Sequence, residues 1–200
     1  MKTVLFLLVL FLVPFGSVSA KIQDREISEV DPISDQEKAQ RLGITLRQYR
    51  VYVSFLHYGE ILEDLPIGPP IKKAAQSILS LSRATTVYES QVAPQMKSEK
   101  DAGRRTISSE LGEKFKAQVI LVAVLGLQDL VEASVEMNIA VNKLEHETCS
   151  SLREAESNAN CLLKFGDFHK ITNAFIQASE TMTVVVNRML QTYEDALNSY

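Results

Sequence analysis

The chain has 200 residues, of which 46% are hydrophobic and 23% charged, with 21 basic against 25 acidic residues. This length suits one domain with its own hydrophobic core. The net charge of −4 argues against general binding to nucleic acid or to anionic membranes, because both demand a basic protein surface.

The first twenty residues predict a secretory signal peptide, residues 1–20. Lys2 precedes an unbroken apolar run, Val4 to Val13, and the segment closes on Val18-Ser19-Ala20, where signal peptidase requires small residues. Cleavage after Ala20 leaves 20 bases against 25 acids, a net charge of −5, in a secreted, extracellular protein. This apolar run has about half the length of a membrane span, and no later apolar run in the sequence is longer. We therefore expect no transmembrane anchor.

The mature chain is expected to begin with a flexible arm, residues 21–33, which is acidic and has few apolar residues to bury. A single helical-bundle domain, residues 34–200, follows. Ser34 and Glu37 form a capping-box pattern, which predicts a short helix that ends at Gly43.

The next predicted helix runs from Thr45 to about Leu65 and is rich in aromatic residues. Four rings occur within ten residues: Tyr49, Tyr52, Phe55 and Tyr58. They could line an apolar ligand cavity, or they could be core rings whose hydroxyls reach the surface. Helical spacing places Tyr49 and Tyr52 on one face and Tyr58 elsewhere, which favours the core interpretation.

A third helix is predicted from Ile71 to Val92, because its apolar residues alternate at steps of three and four. We expect Pro94 to end it and 95–106 to be a polar loop. Within that loop, Gly103-Arg104-Arg105 has the form of a prohormone processing site. A solvated basic loop is the simpler interpretation, and either would be sensitive to proteases.

The longest predicted helix runs from Ser109 to roughly Thr148. Apolar and small residues recur along one face, namely Leu111, Phe115, Val119, Val122, Gly126, Leu130, Ala133, Met137, Ala140 and Leu144. The run Val119–Leu127 is apolar on every side of the helix, so we expect it to be the most enclosed part of the fold. Gly126 is the expected position of any kink.

A loop is predicted over 150–160, and Asp167 is expected to cap the last helix. One face of that helix carries apolar residues at steps of three and four: Phe168, Ile171, Phe175, Ala178, Met182, Val185, Met189, Tyr193 and Leu197. The sequence therefore predicts an all-α, elongated, mostly antiparallel bundle of four main helices plus a short N-terminal helix, with coiled-coil-like packing.

The two cysteines of the mature chain, Cys149 and Cys161, predict a disulfide bond, because an exported chain folds under oxidising conditions. The bond would close a short loop and contribute roughly 3 kcal/mol. Two buried free thiols are the alternative. Zinc bound with His146 and His169 is disfavoured, because the ligand spacing matches no common zinc motif.

The sequence carries no catalytic motif, so we expect no enzyme, no cofactor and no metal site. The favoured function is protein–protein interaction in the extracellular space, with an unknown protein partner or by self-association. The alternative is a carrier that holds a small hydrophobic ligand or lipid between its helices, which the adaptable side chains of Met137, Met182 and Met189 would suit.

Overall fold

The computed structural model describes residues 33–149 and 155–198, with side chains in the second range from Phe165 onward. All regular structure in these two ranges is helical, which confirms the predicted all-α class. The predicted signal peptide, nearly all of the predicted arm and the segment 150–154 lie outside the described residues, so those assignments stay predictions.

The described residues form seven α-helices and two π-helical turns. The helices are α1 Asp35–Leu42, α2 Leu46–Ile61, α3 Gly68–Val87, α4 Ala93–Asp101, α5 Ser109–Phe115, α6 Leu121–Cys149 and α7 Ala155–Asn198. The π-helical turn Tyr88–Val92 joins α3 to α4, and Lys116–Ile120 joins α5 to α6. The predicted arrangement of four main helices and a short first helix is therefore approximately confirmed.

Local sequence sets the ends of the first two helices. Gly43 adopts a φ of +69° directly after α1, a conformation that glycine adopts at little cost. Thr45 caps α2: its Oγ1 accepts the Gln48 backbone N–H at 3.3 Å, while Gln48 Oε1 accepts the Thr45 N–H at 2.8 Å. This reciprocal capping box satisfies two N–H groups that the helix itself leaves free.

Pro94 does not end the third helix, contrary to the prediction. It lies in the first turn of α4, where its missing N–H costs little. The wider π-helical turn immediately before it relieves the clash that a proline ring makes with the preceding turn. The predicted polar loop 95–106 is consequently helical up to Asp101, and only 102–108 connects α4 to α5.

The last helix also begins earlier than predicted, at Ala155 rather than at Asp167. The segment 155–166 contains good helix formers such as Ala155 and Ala159 and no proline, so nothing forces the helix to start later. The predicted loop over 150–160 is therefore wrong for its second half.

The helices pack in chain order around a shared core. The long helix α3 packs against both α2 and α6, and α6 packs against α7. Phe115, just before α6, meets Tyr193 near the end of α7 at 5.3 Å between ring centroids, and Glu145 meets His169 near the opposite ends. These two contacts show that α6 and α7 run antiparallel, as the sequence predicts.

The predicted inward face of α6 is confirmed in outline. Leu130, Ala133 and Met137 are at most 1% exposed. Gly126 allows α6 to approach α3 closely, since a Cβ there would lie 3.2 Å from both Leu81 Cγ and Ser80 Cβ. The backbone irregularity of this long helix occurs at Lys116–Ile120, not at Gly126.

The inward face of α7 matches the prediction at every second position and departs from it at the positions between. Phe175, Met182 and Met189 are buried as expected. Between these positions, Thr172, Ser179 and Val186 are buried, each one residue after a predicted residue that is only partly buried. At the C-terminal end, Ala196 is buried in place of the predicted Leu197, which is 45% exposed.

Candidate functional site

The segment Val119–Leu127 is not the most enclosed part of the fold, and this correction identifies the candidate site. Val119 is fully buried, but Leu121, Val124 and Leu125 are 50%, 38% and 60% exposed. The prediction failed because α3 and α7 cover one side of this helix and, among the described residues, no element packs on the opposite side.

The exposed side continues along α6 as a row of apolar residues, which we call the outer stripe. Its members are 38–61% exposed: Leu121, Val124, Leu125, Val131, Val135 and Ile139. Elsewhere in the described residues the exposed large apolar side chains are scattered over other helices, as on most protein surfaces. A row of six on one rigid helix is the kind of surface that marks an interaction site.

A signal for the outer stripe is present in the sequence. Helical spacing places Val131, Val135 and Ile139 on the side opposite Leu130 and Met137, so α6 carries two apolar faces. The prediction of full burial assumed that a helix with apolar residues on every side has neighbouring helices on every side. The other possibility is a helix that is buried on one side only.

One edge of the outer stripe is bounded by a three-residue ion cluster. Lys73 Nζ of α3 donates to Glu132 Oε2 at 2.8 Å and to Glu136 Oε1 at 3.1 Å on α6. The hydrogen bond to Glu132, followed by that to Glu136, raises the pKa of Lys73, and Lys73 in turn lowers the pKa of Glu132. The cluster sets one ammonium against two carboxylates, which leaves it with a formal charge of −1.

The aromatic residues of α2 take part in packing between helices. Tyr49 is buried among Ala39, Ile44 and Leu79, and the Tyr52 hydroxyl accepts a hydrogen bond from Gln76 Nε2 at 3.3 Å. On the α7 side, Phe55 lies 4.7 Å from Phe175 between ring centroids. Burial, with a smaller contribution from Asp167, raises the pKa of Tyr58. These contacts agree with the core interpretation of this aromatic cluster.

The residues considered for a disulfide or a zinc site lie near the junction of α6 and α7. Cys149 is buried at the end of α6, and the side chain of Cys161 lies outside the described residues, so their pairing stays a prediction. His146 is exposed, while His169 is half-buried and bonded to Glu145. Within the described ranges no three His, Cys, Asp or Glu side chains form a metal-binding group.

A polar cleft of about 340 Å³ lies where α4 meets α5. Ser108 there donates its backbone N–H and its hydroxyl to the Glu99 carboxylate at 2.7 and 2.6 Å. The hydroxyl bond, followed by the backbone bond, lowers the pKa of Glu99. Ser108 Oγ also accepts the Leu111 N–H, so the arrangement caps α5. The lining includes no histidine or cysteine that would suggest catalysis.

The Arg104-Arg105 pair lies in the exposed connection between α4 and α5. Residues 102–106 are all exposed, and Arg104 Nη1 lies 3.4 Å from Glu99 Oε1. The connection is tied down at its end, because the Ile107 N–H donates to the Ala196 carbonyl at 3.0 Å. This position suits both a solvated basic loop and a protease-sensitive bond.

In the described part of the chain, one continuous helix, Ser109–Cys149, is long and apolar enough to cross a membrane. Its most apolar 18-residue window has a mean hydropathy of 1.6 and is 39% buried within the protein. Core helices of soluble proteins meet the same criterion of length and composition, so the criterion alone does not assign a membrane span.

Comparison with known proteins identifies no relative of this chain. No protein-family model, curated protein or solved structure matches it. The choice of the outer stripe of α6 as the candidate site therefore rests on the exposure and spacing of its side chains alone.

Proposed function

We propose that the chain is a secreted, non-enzymatic helical-bundle protein that acts by protein–protein interaction in the extracellular space. The outer stripe of α6 is its contact surface. The exposure of six apolar side chains on one helix carries this proposal, because burying them against a partner removes apolar surface from water.

The site suits binding better than chemistry. A stripe on a long helix that packs on α3 and α7 is held rigidly, so little ordering is needed when a partner docks. An amphipathic helix is a common form of protein contact surface, with anchor residues at spacings of three and four. Export to the extracellular space rests on residues 1–20 of the sequence.

A photo-crosslinking residue in the stripe tests this function. We would place p-benzoylphenylalanine at Leu125, which is 60% exposed, and in a control variant at Val184, which is 63% exposed on α7. Both full-length variants would be expressed with their leader in cultured cells and recovered from the medium. We expect crosslinks to protein from position 125 and few from position 184.

Three outcomes of that experiment would contradict the proposal. Position 125 would label only lipid, both positions would label equally, or the chain would stay in the cytosol with residues 1–20 attached. N-terminal sequencing of the secreted form is expected to start at Lys21.

The alternative function is an extracellular carrier of a small hydrophobic ligand or lipid. One observation favours it: Thr172 Oγ1 on α7 is buried and has no hydrogen-bond partner among the described residues. A ligand hydroxyl or carbonyl would satisfy it. Native mass spectrometry of protein purified from its source decides, since a carrier shows a bound small-molecule adduct and an interaction protein shows none.

A further inference from the structure

The outer stripe is self-complementary, and we infer that its occupant is a second copy of this chain. The two α6 helices then lie against each other in antiparallel directions about a two-fold axis. This inference rests on the proposed function, because it names the partner of the same contact surface.

The spacing of the outward residues supports helix pairing. From Leu121, side chains on this side follow at steps of three, four, three, four and four, and they are Val124, Gln128, Val131, Val135 and Ile139. Alternating steps of three and four are the repeat that two paired helices use. The row is about 27 Å long at 1.5 Å per residue, enough for several turns of contact.

The order of these residues reads nearly the same in both directions. An antiparallel copy places Val124 opposite Val135 and Gln128 opposite Val131, while Leu121 and Ile139 lie at the two ends, one residue out of this register. A two-fold axis makes both pairs twice, so the centre of the contact is apolar except for its two glutamines. Antiparallel helices also place opposite ends of their dipoles together.

The charges near the stripe disfavour a lipid surface and permit a second copy. No lysine or arginine occurs between Ala117 and Asn142, whereas helices that bind lipid surfaces usually carry many bases beside the apolar face. Glu132 and Glu136 share Lys73, so this edge of each copy keeps a formal charge of −1, and both carboxylates are about half exposed. Salt therefore screens the repulsion between two copies, which lowers the affinity of the dimer without preventing association.

The size of the stripe fits a reversible dimer. Six side chains at 38–61% exposure present on the order of 500 Å² of apolar surface, so two copies bury on the order of 1,000 Å². That area is at the lower limit for specific interfaces, which suits micromolar association rather than an obligate dimer.

Sedimentation velocity of the secreted mature chain tests the inference. We expect concentration-dependent dimers, with Val135→Glu weakening association about a hundredfold because it buries a charge in the interface. Val184→Glu, an equivalent change at an exposed site on α7, should leave association unchanged. Far-UV circular dichroism and melting temperature check that both variants fold.

The antiparallel register is tested by charge pairing. Val124→Lys alone and Val135→Glu alone should each associate weakly, whereas their mixture should form a heterodimer at least about tenfold more tightly than either alone. Only in the mixture does the register place the introduced lysine of one copy opposite the introduced glutamate of the other. A parallel pairing would also gain on mixing, because the mixture separates like charges, so one chain that carries both Val124→Lys and Val135→Glu distinguishes the two. That double variant should associate with itself in the antiparallel register and should stay monomeric if like positions pair in parallel.

The outcomes separate this inference from the proposed function. Self-association is overturned if the wild type stays monomeric to about 100 μM. It is also overturned if Val184→Glu weakens the dimer as much as Val135→Glu does. If the residue at position 125 then crosslinks a different protein, the proposed function stands and only the second copy is wrong. If the monomer binds phosphatidylcholine vesicles and Val135→Glu abolishes that binding, both proposals fail.

Discussion

The inner and outer faces of α6 have similar side chains and different surroundings. Leu130 and Met137 on the inner face are almost completely buried between α3 and α7, while Val135 and Ile139 on the outer face are more than half exposed. The composition of a helix face thus sets how much free energy its burial would release, and the number of neighbouring helices decides whether the face is buried. The apolar surface that stays exposed on the outer face can therefore be buried by contact with another molecule.

The largest expected contrast comes from truncating one residue on each face. Met137→Ala removes a side chain that is 0% exposed, and it should cost about 2–5 kcal/mol in the free energy of unfolding because it leaves a cavity. Val135→Ala on the outer face should change it by about 0.5 kcal/mol or less in the monomer.

Urea unfolding at a low protein concentration measures both variants. The low concentration keeps the protein monomeric, so association does not add to the stability of the outer face. Comparable losses from the two variants would mean that the outer face is covered within the protomer.

Reduction of the predicted disulfide should have the next largest effect. Cys149 is 2% exposed at the end of α6, and a bond to Cys161 would tie α6 to α7. We expect reductant to lower the free energy of unfolding by roughly 3 kcal/mol, measured as a lower melting temperature. A variant with both Cys149→Ser and Cys161→Ser should not respond to reductant. Equal melting temperatures of the wild type with and without reductant would rule out the predicted disulfide.

Two glycines give a smaller contrast of opposite sign. Gly126→Ala adds a Cβ 3.2 Å from Leu81 Cγ and Ser80 Cβ on α3, so crowding should outweigh the helix propensity of alanine and cost about 1 kcal/mol. Gly166→Ala in α7 meets nothing within 4 Å and should stabilise by about 0.5–1 kcal/mol. A stabilising Gly126→Ala would show that α3 and α6 are not tightly packed there.

The helical faces were predictable from the sequence, whereas their coverage was not. Spacings of three and four residues located Leu130, Met137 and Met182 in the core because apolar residues on one side of a helix must be buried somewhere. The same rule could not say whether one or two sides of α6 have neighbours, so the outer stripe was missed. The prediction that Pro94 ends the third helix was wrong because a π-helical turn accommodates the proline, and such a turn has no simple sequence signal.

The last predicted effect concerns the start of the helix that carries both faces. Ser108 caps α5 and bonds Glu99, so Ser108→Ala should cost about 1 kcal/mol at neutral pH. The Ser108 hydrogen bonds lower the pKa of Glu99 in the folded state. The stabilisation is therefore complete above the ordinary carboxyl pKa and is lost as the pH falls through the lowered one.

Urea unfolding of wild type and Ser108→Ala between about pH 7 and about pH 3 measures this dependence. The difference between the two should shrink in acid, because a protonated Glu99 binds Ser108 less strongly. Thr45→Ala at the α2 cap is the matched control, since its partner Gln48 does not titrate and its cost should stay constant over this range. A Ser108→Ala cost as constant as that of Thr45→Ala would mean that Glu99 takes no part in holding the start of the helix that presents the outer stripe.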